Sequence, residues 1–163
     1  MSENELVFSR DYDLPQAIVW DALIDEVLID GWLAAATVEP HVGGRYRLEW
    51  HGTGSLAPTN GVIRVFEPLA QLVIETDNIG VLDFRLDLLP GGTRGTATAL
   101  TLRLVVDTDR RLLASTQAYW RSNFDQLEEL LRGHPVDWST WQRDRGEIWA
   151  EYLRTPLTGD QRG

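Results

Sequence analysis

Two stretches decide how this chain is read: Pro40-His41-Val42-Gly43-Gly44-Arg45-Tyr46-Arg47-Leu48-Glu49-Trp50, and Gly61-Val62-Ile63-Arg64-Val65-Phe66-Glu67-Pro68-Leu69-Ala70-Gln71-Leu72-Val73-Ile74-Glu75-Thr76. The first alternates strictly. Tyr46, Leu48 and Trp50 share one face, and Arg45, Arg47 and Glu49 the other, the period of a strand with one dry side. The second reads as two strands around a turn at residues 67–71, where Pro68 presets φ and lacks a ladder donor. A meander with one apolar face needs a cover, and the rest of the chain must provide it.

Working outward, residues 6–12 form a short strand. Asp13-Leu14-Pro15 opens a helix, with Pro15 near the first helical position, and Ile18, Val19, Ala22 and Leu23 give that helix an apolar face. A second short helix covers residues 25–32. Residues 52–60 read as a polar loop. In 81–89, Phe84, Leu86 and Leu88 alternate with Asp83, Arg85 and Asp87. Pro90-Gly91-Gly92 signals a turn, and 93–106 is one long strand, bent or bulged at Gly95. Then comes the longest helix, capped by Asp107 or Thr108, with Leu113, Thr116, Trp120, Phe124, Leu127, Leu130 and Leu131 at helical spacing. Arg132, Gly133 and Pro135 end it. At 1.5 Å per residue, about 20 residues make a rod of roughly 30 Å, long enough to lie along the concave face of the whole sheet. Strand, two short helices, about six or seven antiparallel strands and a long helix make an α+β layout.

Composition narrows the function. A chain of 163 residues with a 43% apolar fraction and seven Trp is one folded domain with a sizeable core. No apolar run approaches the roughly 20 residues of a membrane helix, and residues 1–5 lack a signal peptide's features, so the expectation is a cytoplasmic protein without integral membrane association. The absence of cysteine excludes disulfides and thiolate chemistry. A net charge of −10 opposes binding to nucleic acid. All 15 basic residues are Arg, which excludes a Schiff-base lysine and reads as the coding bias of a GC-rich, bacterial genome.

Several of these residues carry a resemblance. Pro15 with Val19 and Trp20, Trp32, Pro40 with Gly43, Gly44, Arg45 and Tyr46, Gly61 through Pro68 to Leu72, Gly92-Thr93-Arg94, and Trp120 with Leu127 fall in an order that resembles the homologues of the heat shock protein 90 ATPase activator. That family lies in the START-like superfamily (SRPBCC, Bet v 1-like, helix-grip). Over residues 5–133 the resemblance implies a curved antiparallel sheet gripping the long helix, with a cavity between them that often holds an apolar ligand. Eukaryotic activators also carry an N-terminal cochaperone domain for which these residues leave no room, so the activator name is expected to say little about a partner. The chain divides into a START-like domain, 1–133, and an extension, 134–163, read as one amphipathic helix with a flexible end. Trp138, Trp141, Trp149, Tyr152 and Leu153 share a face of that helix, and Asp137 or Ser139 caps it.

The chemistry is sparse. His41, His51 and His134 have no metal-ligand spacing, and no nucleophile elbow or phosphate loop occurs. The expectation is no metal, no cofactor and no catalytic residue. The pocket candidates are Tyr46, Leu48, Trp50, Ile63, Ile74, Phe84, Leu86, Thr116, Trp120, Asn123 and Phe124, each of which could equally be plain core. Tyr46, Trp50 and Trp120 carry polar tips, Asn123 and Thr116 put polar groups on the helix's inner stripe, and Gly95, Ala97 and Ala99 leave room. The favoured function is binding of a small apolar or amphipathic molecule. A cyclase-, aromatase- or hydrolase-like enzyme using Tyr46, Glu75 or Arg94 is one alternative. A cochaperone-like interaction module, or a homodimer through the aromatic extension, is the other.

Overall fold

The computed structural model describes residues 2–51, 57–90 and 96–154. In chain order its elements are β1 (Ser2–Tyr12), α1 (Gln16–Ile24), α2 (Glu26–Asp30), β2 (Ala35–Val38), β3 (Arg45–Glu49), β4 (Thr59–Glu67), β5 (Gln71–Thr76), β6 (Val81–Pro90), β7 (Thr96–Thr108), α3 (Arg110–Leu131) and, after a 3-10 turn at Trp138–Thr140, α4 (Trp141–Arg154). The seven strands make one curved antiparallel sheet in the order β1-β7-β6-β5-β4-β3-β2. Only β1 breaks the meander, returning to pair with β7 along its full length. This is the α+β helix-grip architecture expected from the sequence.

Alternation positions the core. Tyr46 and Leu48 of β3 are buried while Arg45 and Glu49 face water, and the same parity runs through Ile63, Leu72 and Ile74, Leu82, Phe84 and Leu86, Leu100, Leu102 and Leu104, and across to Leu6 and Phe8. A bulge between Ile63 and Val65 shifts the β4–β5 register, so Phe66 falls opposite Leu72. That turns the Phe66 ring toward α1, where it meets Trp20 edge-on at 5.5 Å. α3 lies over the buried face, and its far side carries α4.

Several details depart from the sequence reading. The first strand starts at Ser2, because β7 is long enough to pair with all of it. β2 is an additional edge strand. α2 is only five residues, begun by the Asp25 carboxylate accepting from the Val27 and Leu28 N–H groups. Pro15 is the extended residue ahead of α1 and not its first helical one, and Ile18 of that helix is exposed while Trp20 is buried. Thr59 and Asn60 belong to β4. Thr108 still pairs with Ser2, so α3 begins after Asp109, whose carbonyl accepts from Leu112 N. Ala97 and Ala99 have the opposite parity to buried Thr98, Leu100 and Leu102. Their small side chains lie on the outer face and make no room inside. Gly95 and the turn at 91–94 lie outside the described residues.

The turn before β3 is tightly built. Gly43 has φ +81 with open space where a side chain would go, whereas a Cβ on Gly44 would meet the Glu39 carbonyl oxygen at 2.1 Å. Gly44 also accepts from Ile63 N at 2.9 Å, tying the turn to β4. Gly43→Ala is expected to cost about 1 kcal/mol, the left-handed penalty alone, and Gly44→Ala about 1–3 kcal/mol, because backbone must move. Urea midpoints at unchanged m-value check this, and the reverse order would contradict it.

Candidate ligand-binding site

The helix that covers the sheet brings most of the expected residues together. Trp120, at the middle of α3, is 1% exposed. Its ring meets Phe84 of β6 edge-on at 6.4 Å and Phe124 at 6.1 Å. Phe124 continues the line to Phe8 at 6.1 Å and to Trp32, stacked at 6.4 Å. Leu48, Ile63, Ile74, Phe84 and Leu86 are buried in the same cluster. Trp50, just past β3, is half-buried and packs on its margin.

The polar tips behave differently from one another. The Tyr46 hydroxyl donates to the carbonyl of Leu23 at 2.6 Å, deep in the core. This anchors the end of α1 to the sheet, and burial pushes the phenol's pKa well above its ordinary value. Thr116 is half-buried, and its hydroxyl donates back to the Leu112 carbonyl of its own helix at 3.0 Å, so it offers nothing to the interior. The Trp50 indole donates to Thr59 Oγ1 at 3.1 Å, and that hydroxyl donates on to Asn78 Oδ1 at 2.6 Å.

Asn123 is the exception. It is 4% exposed, and its Nδ2 has no hydrogen-bond partner among the described residues. The same holds for the hydroxyl of Tyr119, one helical turn earlier. Burial raises the Tyr119 pKa, and nearby Asn123 acts in the opposite direction. The two groups are close, but their geometry completes no hydrogen bond. The Tyr119 ring sits edge-on to Trp50 at 5.6 Å and to Trp120 at 5.7 Å. Sequence reading passed over Tyr119, although its spacing of three from Thr116 and four from Asn123 places it on the stripe already chosen. The site is therefore the middle of α3 beside the end of β3, with Trp50, Tyr119, Trp120 and Asn123 around it.

The residues named for catalysis do not converge there. Glu75 is exposed and paired with Arg64 at 3.1 Å, the Tyr46 hydroxyl is held by Leu23, and Arg94 lies outside the described residues. Among the described residues no cluster of His, Asp and Glu could hold a metal ion, and no helix is long and apolar enough to cross a membrane.

The extension folds back on the domain. The Trp138 indole donates to the Asp30 carbonyl at 2.7 Å while its ring stacks on His51 at 4.8 Å. The Trp141 indole donates to Gln126 Oε1 at 2.7 Å. Tyr152 donates to Asp125, which also pairs with Arg10 at 2.8 Å, and Arg121 lies 4.0 Å over the Tyr152 ring. A solvent-open notch where α3 leads into the extension is lined by both charge signs, including Glu129, His134, Asp144 and Arg145. Trp141 lines it as well.

A curved antiparallel α+β sheet gripped by one long helix is the START-like scaffold. The profile of the Activator of Hsp90 ATPase homolog 1-like protein family matches residues 13–132, and the chain belongs to that family. No curated protein matches it in sequence. Among solved structures, CalU16 from Micromonospora echinospora is similar, with 24% identity, a TM-score of 0.62, and 94% of this chain and 90% of that one covered. Protein MLL2253 from Mesorhizobium loti aligns at 21% identity and TM-score 0.65, over 82% of this chain and all of that one. DynU16, a putative protein in the dynemicin biosynthetic locus, aligns at 20% identity and TM-score 0.63, over 80% of this chain but 48% of its own length.

All four tyrosines of the chain have raised pKa values, each chiefly through burial. The folded state thus holds the phenolic protons more tightly than the unfolded state. Stability from this source is fully present below about pH 10, the unfolded value, and is lost as pH rises through the folded values. In absorbance at 295 nm, folded protein is expected to show little tyrosinate near pH 10.5, where guanidine-unfolded protein shows most of it. Coincident titration curves would contradict the burial described.

Proposed function

We propose that the protein binds a small apolar or amphipathic molecule between α3 and the sheet. One observation carries the reading. Two polar groups on the inner stripe of α3, the Tyr119 hydroxyl and the Asn123 amide nitrogen, are buried without a partner among the described residues. Each such group costs about 1–3 kcal/mol, a large share of a typical 5–15 kcal/mol of stability. Buried polar groups are paired in the great majority of cases, and a ligand's polar end would pair these. Their setting is otherwise apolar and aromatic, with Trp50 and Trp120 on either side of Tyr119, the composition of a small-molecule site. The family's scaffold is compatible with this role.

A ligand that fits raises the melting temperature by mass action. At a hundred times its Kd the gain is about 2.7 kcal/mol, which for a chain of this size is roughly 5–10 °C. Differential scanning fluorimetry against a broad panel of lipids and polycyclic aromatics is expected to find such compounds. A flat response across the panel would refute the reading.

A further inference from the structure

We infer that the site takes an apolar ligand whose polar end is an uncharged carbonyl oxygen, and that the C-terminal extension orients one of the two donors that meet it. This rests on the binding reading above and adds the chemical class. Three observations carry it.

The first is the absence of charge inside. Among the described residues, the buried polar side chains are threonine, serine, asparagine and glutamine, with no Asp, Glu, Arg or His. An ionised ligand group would leave water and meet no countercharge there, which is strongly unfavourable. A carboxylate would also enter against the chain's net charge of −10.

The second is the kind of group left unpaired. Asn123 Nδ2 can only donate, and the Tyr119 hydroxyl can donate. Two donors one helical turn apart suit an oxygen with two lone pairs. An ammonium would bring donors to the donor-only Asn123 Nδ2.

The third is how the Asn123 amide is set. The Trp141 indole can only donate, so the Gln126 atom it meets at 2.7 Å must be Oε1. The Trp32 carbonyl can only accept, so the Gln126 atom facing it at 2.7 Å must be Nε2. Pinned at both ends, Gln126 Nε2 also reaches Asn123 Oδ1 at 3.4 Å. That draws the Asn123 oxygen toward Gln126 and turns its NH2 the other way. Trp141 lies beyond the 13–132 of the family match, so the extension supplies an input to the site that the domain lacks by itself. Trp141 is a positioning residue in this scheme.

Four probes of one shape separate the possibilities: 2-acetylnaphthalene, 2-ethylnaphthalene, 2-naphthoate and 2-naphthylmethylammonium, titrated into the full chain by tryptophan fluorescence. The ketone is expected to bind about tenfold tighter than the hydrocarbon, the gain from two satisfied hydrogen bonds, and both ions weaker than either. Asn123→Leu and Tyr119→Phe should each reduce the ketone-to-hydrocarbon ratio severalfold. Trp141→Phe, which keeps a ring and loses the N–H, should reduce the same ratio while leaving 2-ethylnaphthalene binding unchanged, a result that a merely looser fold would not give. Equal binding of ketone and hydrocarbon, or tightest binding of an ion, overturns the inference and leaves the binding reading standing. An unchanged ratio in Trp141→Phe overturns the orienting role of the extension. Failure of all four to bind refutes the binding reading for such ligands and takes this inference with it.

Discussion

One helix has to cover one face of a seven-stranded sheet, and the rest of the molecule follows from that constraint. Seven strands span roughly 29 Å across their six gaps, while a helix with its side chains is only about 10–12 Å wide. At about 33 Å for its 22 residues, α3 is long enough but far too narrow. Large rings make up the difference. Trp32, Trp120, Tyr46, Phe8, Phe84 and Phe124 are the largest fully buried side chains, and four of them, Trp120, Phe84, Phe124 and Phe8, bridge from α3 to the sheet. α1 fills the space near β4 through Trp20 against Phe66. Beside Trp50, this cover carries the two polar groups of Tyr119 and Asn123 that have no partner among the described residues.

The second organising feature is the separation of charge. Every ion pair among the described residues has at least one partly exposed member, and the interior holds only neutral polar groups. The polar contacts inside are hydrogen bonds with fixed direction, such as Tyr46 to Leu23 and Trp141 through Gln126 to Trp32. Direction matters more than strength here, because an amide turned over presents an acceptor where a donor stood. The extension belongs to this network.

The sheet and its helix were legible because parity and helical period are written in the side chains themselves. Tyr46, Leu48, Ile63, Ile74, Phe84, Leu86, Trp120 and Phe124 could be assigned to the interior on spacing alone. β2 was not legible, since Ala35, Ala36, Thr37 and Val38 are too few and too uniformly small to alternate. The Ala97 and Ala99 reading failed because a run of small residues was weighed without counting parity from Leu100. What a polar tip does once buried was beyond reach. The partners of Tyr46 and Gln126 lie 23 and 94 residues away, and no local pattern announces a contact at such distance. Tyr119 was legible, since it lies three residues after Thr116 and four before Asn123.

The central question is whether the inner stripe of α3 meets a ligand. Heteronuclear NMR of isotope-labelled protein, with 2-acetylnaphthalene added stepwise, reads this directly through the side-chain amide of Asn123 and the indole N–H groups of the seven tryptophans. The account predicts that the Asn123 amide and the Trp50 and Trp120 indoles shift together and saturably, with Trp138 left in place. Shifts confined to Trp138, Trp141 and Trp149, with Asn123 unmoved, would contradict it.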